Sequence, residues 1–306
     1  MKESNSKGVE STFMPNKYMK VNTGNIFFRP FLMVILLCLS TSGIFAQSKA
    51  ENKTGEFCTR NDIFNGGSGV TVRELREMIL PARSLLTVDV KRHGNISVRG
   101  DRNRSEILVR ACLQAWGTSD EAARELARII DIGMGSVIRA ESGGVNKDVW
   151  AVSSISYEIL VPRNTNLNLS TWNGNISISN VEGTIRFKAL NGNLGLRNLA
   201  GDVRGRTTNG NVGVALSGNL WTGREFDVET TNGNVDLIIS ENYAANLEIG
   251  TGTGDIIGNI YQNVKTRSGA TTGGEQISAD LNGGGSPIRV RTAVGNVSLR
   301  YSAKLR

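Results

Sequence analysis

From about residue 150 onward, apolar and polar residues alternate in short stretches, and each stretch follows a turn that contains glycine. Asn-Gly-Asn triplets begin at Asn173, Asn191 and Asn209, so that they recur every 18 residues, and Gly183 and Gly201 lie midway between them. After each triplet the apolar residues occupy alternate positions, which places them on one face of a strand. The pattern predicts strands of a few residues, separated by a tight turn every nine residues.

Further copies of the turn lie outside the regular series. Asn232-Gly233-Asn234 continues it after an insertion, Gly254-Asp255 and Gly295-Asn296 are degenerate copies, and His93-Gly94-Asn95 is an early, isolated copy. Asn-Gly is typical of tight turns between strands because both residues tolerate a positive φ. We therefore interpret these turns as corners of one repeating structure.

Two architectures fit this period: an antiparallel meander, and a β-solenoid with two strands in each coil. The Asn-Gly turns alternate with turns of another composition, Glu182-Gly183 and Ala200-Gly201. In a solenoid the Asn-Gly corners stack on one edge, where their side chains can form a ladder, although a meander also alternates its edges. We predict an all-β fold over residues 83–306: a parallel β-helix-like stack of short strands with about 18 residues per coil.

Two columns of outward side chains follow when the segments are aligned on the turn glycine. The first column contains Asn168, Arg186, Arg204, Asp227, Glu248 and Arg289. The second column contains Ser170, Lys188, Arg206, Glu229, Gly250 and Arg291. Stacking in register would place Arg204 beside Asp227 and Arg206 beside Glu229. Such cross-strand pairs of opposite charge are favourable by about 0.2–1 kcal/mol each. The columns predict a face with a basic half and an acidic half.

The basic half of this face is the candidate binding site. Arg186 lies over Arg204, and Lys188 lies over Arg206, in the predicted stack. Like charges on neighbouring strands are mildly unfavourable, and an anionic ligand would relieve their repulsion. The hypothesis is that these four residues bind an acidic polymer of the cell envelope.

The remaining segments are less regular. Residues 47–82 contain a glycine-rich stretch and are expected to form an irregular lead-in, followed by strands from about residue 85. Thr118 to Glu121 has the composition of a capping box and predicts a helix over 120–130 with one apolar face, formed by Ala122, Leu126, Ile129 and Ile130. Between Gly258 and Gly285 we expect a loop with one strand, which would bring Glu248 near Arg289 if it loops out.

The first 46 residues have the order of a secretory signal peptide. Basic residues precede an unbroken apolar run, Phe31–Leu39, and small residues and Ala46, the expected cleavage site, follow it. The apolar run is short for a membrane span, so an uncleaved anchor is the weaker alternative. Translation from Met19 would leave a conventional signal. We expect an exported protein that is periplasmic, on the outer surface or extracellular, without a permanent membrane span.

Removing this segment lowers the net positive charge of the protein. The 306-residue chain has a net charge of +7, and the segment contains five basic and two acidic residues, which leaves +4. Nucleic acid therefore loses most of its support as a partner. An envelope polysaccharide or a surface protein is the expected partner, and the sequence predicts no oligomeric state.

Export also bears on the cysteines. Cys58 and Cys112 remain after the signal, and an oxidising compartment favours a disulfide between them, with two buried free thiols as the alternative. His93 is the chain's single histidine, which disfavours a nucleophilic cysteine and excludes metal sites that need two histidines. We expect no cofactor.

Several stretches resemble a bacterial family of exported "putative adhesin" domains, which are β-strand repeats of unknown function. They are Val109–Asp131, Ser156–Pro162, the Asn-Gly-Asn repeats, Arg204–Gly210 and Val290–Thr292, and the likeness covers Leu85–Arg306. It implies the fold and carries no catalytic residues to this chain.

Other motifs point to chemistry less well. A calcium-binding β-roll needs many turn carboxylates, but only Asp202 and Asp255 occur here. Arg99-Gly100-Asp101 is interpreted as a turn. The four tryptophans, Trp116, Trp150, Trp172 and Trp221, are interpreted as packing residues rather than a sugar platform.

The alternative function is an enzyme that acts on polysaccharides. Asp227 and Glu229 share a face close to Arg204 and Arg206. Carboxylates paired with arginines make poor general acids. We therefore predict a non-catalytic, exported, adhesin-like structural or surface protein.

Overall fold

The computed structural model describes residues 57–58, 69–142, 153–258, 266–271 and 274–302, all within the unit Lys49–Arg306. These residues form two large β-sheets, which are not closed, and helix α1 (Asp120–Ile129). Sheet A has ten strands in the spatial order β1 (Val70–Pro81), β4 (Glu106–Gly117), β7 (Ser153–Pro162), β3 (Ile96–Asp101), β9 (Ile176–Ser179), β11 (Leu194–Arg197), β13 (Val212–Ala215), β15 (Val235–Ile239), β21 (Val297–Tyr301) and β17 (Ile256–Gly258). Sheet B has eleven, in the order β18 (Thr266–Thr271), β19 (Gly274–Leu281), β16 (Ala245–Thr253), β20 (Pro287–Val294), β14 (Glu225–Asn232), β12 (Ala200–Asn209), β10 (Glu182–Asn191), β8 (Asn166–Asn173), β2 (Leu85–His93), β6 (Val137–Ser142) and β5 (Ile130–Met134).

The 18-residue period is one passage of the chain through both sheets. In sheet B, Ile185 pairs with Leu167 on one side and with Val203 on the other, in parallel register. In sheet A, Leu194 pairs in the same way with Ile176 and Val212. The alternating apolar residues of each strand are buried between the sheets, where each fully buried Val, Leu or Ile contributes about 1.5–3 kcal/mol.

The regular parallel pairing extends to β17 at one end of sheet A, but not to the other end of sheet A or to either end of sheet B. β1, β4 and β7 pair antiparallel in sheet A, as do β16, β19 and β18 in sheet B, and β5 with β6. The predicted all-β class is confirmed, whereas a uniformly parallel stack is not. Antiparallel neighbours at the ends allow connections too short for a full coil.

The order of the strands departs from the order of the sequence at the C-terminal end. β20 lies between β14 and β16, and β21 lies between β15 and β17. Arg289 therefore pairs in register with Asp227 on one side and Glu248 on the other. The expected closeness of Glu248 and Arg289 is confirmed, but the expectation that consecutive segments stack in sequence order is wrong here.

Two segments predicted as irregular contain strands. Residues 70–81 of the expected lead-in form β1. This strand pairs with β4 over its whole length, so that Val70 lies beside Gly117 and Pro81 lies beside Glu106. The expected loop before Gly285 contains the hairpin of β18 and β19, and the single strand predicted there lies within β19. Pairing with a neighbouring strand stabilises these segments, although their own apolar alternation is weak.

Helix α1 has the predicted extent but a different cap and a partly different buried face. Ser119, rather than Thr118, is the N-cap, and its Oγ accepts a hydrogen bond from the backbone nitrogen of Ala122 at 3.2 Å. Ala123 and Ala127 are buried, and Ala122 is not. Of the other residues predicted on this face, Leu126 packs partly buried against the core and Ile130 is buried, so the predicted face is partly correct.

The asparagine corners form two ladders. In the first, the Nδ2 atoms of Asn191, Asn209 and Asn232 each donate to the Oδ1 atom of the preceding rung's asparagine at 2.7–2.9 Å. In the second, Asn193 Oδ1 accepts from the backbone nitrogen of Asn211 at 2.8 Å, and the same bond recurs from Asn95 through Asp255. The predicted ladder is confirmed.

Loss of one side chain of the second ladder should have a measurable cost. We expect Asn193→Ala to lower the free energy of unfolding by about 1 kcal/mol, because the Asn211 amide loses its acceptor. Asn219→Ala, at an exposed asparagine outside both ladders, is the control. Urea denaturation measures both, and equal effects would contradict a stabilising ladder.

Candidate functional site

The outward face of sheet B carries the four basic residues predicted as a binding site. β10 and β12 pair so that Arg186 lies beside Arg204 and Lys188 beside Arg206. We call these four residues the cationic block. A groove of about 560 Å³ runs over the block, with Asn168 and Ser170 on one side and Asp227 and Glu229 on the other. The predicted columns thus come together on one surface.

The members of the cationic block differ in their partners. Arg204 forms an ion pair with Glu225, although its register neighbour is Asp227. Arg186 Nη1 donates to the backbone oxygen of Asp202 at 3.0 Å. The predicted placement of Arg204 beside Asp227 is therefore confirmed, but the guanidinium forms its ion pair with Glu225, two residues before Asp227 on β14.

Lys188 and Arg206 are the two exposed members of the block without a carboxylate partner among the described residues. Arg206 lies beside Glu229 in register, as predicted, but the two form no ion pair. Neither cation is neutralised locally, and the like charges of Arg186 and Arg204 lie on the adjacent positions. This arrangement favours an anion in the groove above them.

Two arginines of the inserted strand β20 partly neutralise the acidic half of the face, which has three carboxylates. Arg291 Nη2 donates to Asp227 Oδ1 at 2.9 Å and lies 3.9 Å from Glu229. Arg289 Nε donates to Glu248 Oε2 at 3.1 Å. These ion pairs leave the positive charge of the cationic block as the larger unbalanced charge of the face.

An exposed aromatic side chain lies next to the block. Trp172 on β8 is 59% exposed, and Leu190 on β10 is 38% exposed. Both have the same parity along their strands as the basic residues, so they point outward from sheet B. The interpretation of the tryptophans as packing residues is correct for Trp221, which is buried against Phe226, and wrong for Trp172. Trp150 lies outside the described residues.

The remaining candidates of the sequence do not form a second site. Cys58 and Cys112 form the predicted disulfide, with their Cα atoms 5.2 Å apart, and it links residue 58 to β4. Over the described ranges, no three His, Cys, Asp or Glu residues are grouped as metal ligands, and no helix has the length and apolar character needed to cross a membrane. The predicted signal peptide, residues 1–46, lies outside those ranges.

Burial raises the pKa of two interior tyrosine hydroxyls, Tyr157 and Tyr243. Tyr157 is buried between the sheets, and desolvation raises the pKa of its hydroxyl above the ordinary value. A phenol with a raised pKa stays neutral. It therefore adds no charge to the interior next to β2 and β7.

No family model and no curated protein matches the chain. Eight chains of solved structures do match. A putative cell adhesion protein from Clostridium sporogenes is 12% identical, with 76% of this chain and 100% of that one covered and a TM-score of 0.36. A putative adhesin from Bacteroides fragilis is 11% identical, with 75% of this chain and 97% of that one covered and a TM-score of 0.30. A putative lipid binding protein from Parabacteroides distasonis is 10% identical (76% and 97% covered, TM-score 0.24). Likeness at this level assigns neither a family nor a function to this chain.

Proposed function

We propose that the protein is an exported, non-catalytic, adhesin-like surface module that binds an acidic polymer of the cell envelope through the cationic block. The observation that carries the proposal is the pair Lys188 and Arg206. Both side chains are exposed in the groove, and neither has a carboxylate partner among the described residues. Polymeric anions present many charges to such a pair, so weak single contacts add up.

The fold supports this role as a rigid scaffold. We interpret the regular parallel part, from β8 to β15, as a β-solenoid whose coils each present one strand to the outer face of sheet B. Neighbouring strands lie about 4.8 Å apart, and the ladders of asparagines hold the coils in register. The cations are therefore held at fixed spacing before the ligand arrives, which reduces the entropic cost of binding.

The compartment is part of the same proposal. The Cys58–Cys112 disulfide is typical of proteins that fold in an oxidising environment. Together with the predicted signal peptide, it supports export to the periplasm, the outer surface or the extracellular space. Acidic polysaccharides and surface proteins are accessible to the protein in each of these places.

A matched pair of double variants tests the proposal on immobilised polygalacturonate. We expect Lys188→Ser/Arg206→Ser to weaken binding about 30-fold, since each exposed cation near an anionic surface contributes about 1 kcal/mol. The control, Arg99→Ser/Arg197→Ser, removes the same charge from exposed positions of sheet A and should change binding little. Equal retention of both variants and the unmodified protein would refute the proposal.

The double variant is preferable to removing all four cations. Arg204→Ser would leave the nearly buried Glu225 without its closest partner and could destabilise the fold. If the double variant loses binding, adding Arg186→Ser and Arg204→Ser should weaken it further, with circular dichroism as the folding check.

The non-catalytic part of the proposal has its own test. Acidic glycans incubated with the protein should release no reducing ends. Release that Asp227→Asn abolishes would instead favour a polysaccharide-cleaving enzyme with Asp227 in its active site. The ion pair of Asp227 with Arg291 argues against that role, because it holds the carboxylate as a charged structural partner.

A further inference from the structure

Trp172 and Leu190 extend the cationic block by one more outward position on each strand. Trp172 follows Ser170 by two residues, and Leu190 follows Lys188 by two residues. The register pairs Thr171–Ala189 and Asn173–Asn191 on either side place the two exposed side chains next to each other. An exposed tryptophan beside an exposed leucine forms a small apolar platform that borders the block.

Carboxylates limit the directions in which an anionic chain can lie on this face. Across the strands, Asp227 and Glu229 lie one strand beyond the block. On the other side, Asp89 of β2 lies beside Ser170 and accepts its hydroxyl at 2.7 Å. At the level of the four cations, the interval free of carboxylates spans β8 to β12, about 10 Å across. A long polyanion that crossed the strands would therefore meet negative charge at both ends of this interval.

Along the strands the surface is different. From Arg186 and Arg204 it continues through Lys188 and Arg206, and then to the apolar platform at Leu190 and Trp172. The outward positions before the block hold Asp202 and Glu182, so the path free of carboxylates runs in one direction, from the block toward Leu190 and Trp172. A ligand that lies along the strands can pair two anions with the cations and then place a ring on the indole of Trp172.

The spacing of the cations bears on the chemical class of the ligand. The two cationic columns are separated by two residues of a strand, about 6.7 Å. Double-stranded nucleic acid carries one negative charge per about 1.7 Å of helix axis, both strands counted, which is denser than the columns and more charge than the block neutralises. An acidic glycan carries fewer charges per length. Its hydroxyls can also bond to Asn168 and Ser170, which border the groove.

Resting on the proposed function, we infer that the ligand is an acidic glycan that lies along β10 and β12 and stacks one sugar ring on Trp172. Trp172 is thereby a specificity-determining residue, whereas Lys188 and Arg206 supply charge complementarity for any polyanion. The two contributions are separable by experiment.

Titration calorimetry with three probes tests the inference. The probes are tetragalacturonate, inorganic polyphosphate and oligothymidylate, and each is titrated into the unmodified protein and three variants. We expect Trp172→Ala to weaken tetragalacturonate binding about tenfold, as loss of one aromatic stacking contact does, and to leave polyphosphate binding within about twofold. Ile79→Ala, at a 66% exposed isoleucine of sheet A, should change neither. Lys188→Ser/Arg206→Ser should weaken both. Tetragalacturonate should also alter the fluorescence of the unmodified protein more than that of Trp172→Phe.

Each contrary outcome has a distinct meaning. If Trp172→Ala binds tetragalacturonate like the unmodified protein while the double variant loses binding, the inferred stacking is overturned and the proposed function stands. If the double variant also binds normally, the proposed function itself fails. If Trp172→Ala weakens oligothymidylate more than tetragalacturonate, the platform serves nucleic acid bases and the glycan is overturned.

Discussion

Alanine at position 192 is expected to lower the free energy of unfolding by at least about 3 kcal/mol, although it adds a single methyl group. The glycines of the Asn-Gly corners stack directly on one another. A Cβ atom built on Gly192 overlaps the carbonyl oxygen of Gly174, and one on Gly210 overlaps that of Gly192. The stack is held by backbone hydrogen bonds on both sides, Gly192 to Asn209 at 2.8 Å and Gly174 to Asn191 at 2.9 Å. Backbone cannot move aside as a side chain can, so the cost exceeds that of ordinary overpacking.

Gly213→Ala provides the control for this prediction. Gly213 points outward from β13, and the nearest atom to an added Cβ is Leu194 O at 3.8 Å, an ordinary contact. Its replacement should change the free energy of unfolding by less than about 0.5 kcal/mol. Urea denaturation of both variants measures the difference. Similar values would show that close approach of the backbone is not what requires glycine at the corners.

The same glycines show what the sequence could and could not predict. The 18-residue period correctly predicted parallel register and the asparagine ladder. It assigned a positive φ to the glycines of the Asn-Gly corners, which applies to Gly233 and Gly295 but not to Gly174, Gly192 or Gly210. Periodicity identifies where a glycine is required, but the clash that requires it involves a residue 18 positions away.

The inserted strand β20 had a signal in the sequence that the alignment did not use. Stacking in sequence order would place Asp227 beside Glu248, two like charges. The observed order places β20 between them, where Arg289 pairs with Glu248 and Arg291 pairs with Asp227. Alternation of charge was the better guide because the connection between β16 and β20 is long enough to allow either order.

The candidate site was also predicted only in part. The four cations follow from the two aligned columns, and extending the columns by two residues would have included Trp172 and Leu190. The columns could not predict which carboxylate each cation pairs with. Arg204 turns to Glu225, and this choice depends on side-chain reach along the strand rather than on register.

Phe187→Ala is expected to lower the free energy of unfolding by about 3–5 kcal/mol, and the loss should depend on Gly205. Phe187 is 4% exposed, and its ring occupies the space where a side chain on Gly205, its register partner, would lie. Removing the ring leaves a cavity beside β10 and β12. The hydrogen bonds of the asparagine ladder fix the spacing of these strands, so the neighbouring side chains relax little.

A double-mutant cycle separates this packing from a general loss of apolar surface. In the unmodified protein Gly205→Ala should cost about 1–3 kcal/mol, because its Cβ overlaps the ring of Phe187. In the Phe187→Ala background the same change should cost less than about 0.5 kcal/mol, since the methyl group enters the cavity. The coupling energy should then be at least about 0.5 kcal/mol, as for residues in contact. Additive effects in urea denaturation would mean that the ring of Phe187 and Gly205 do not pack against each other. The size of Phe187 would then not explain why its register partner on β12 is a glycine.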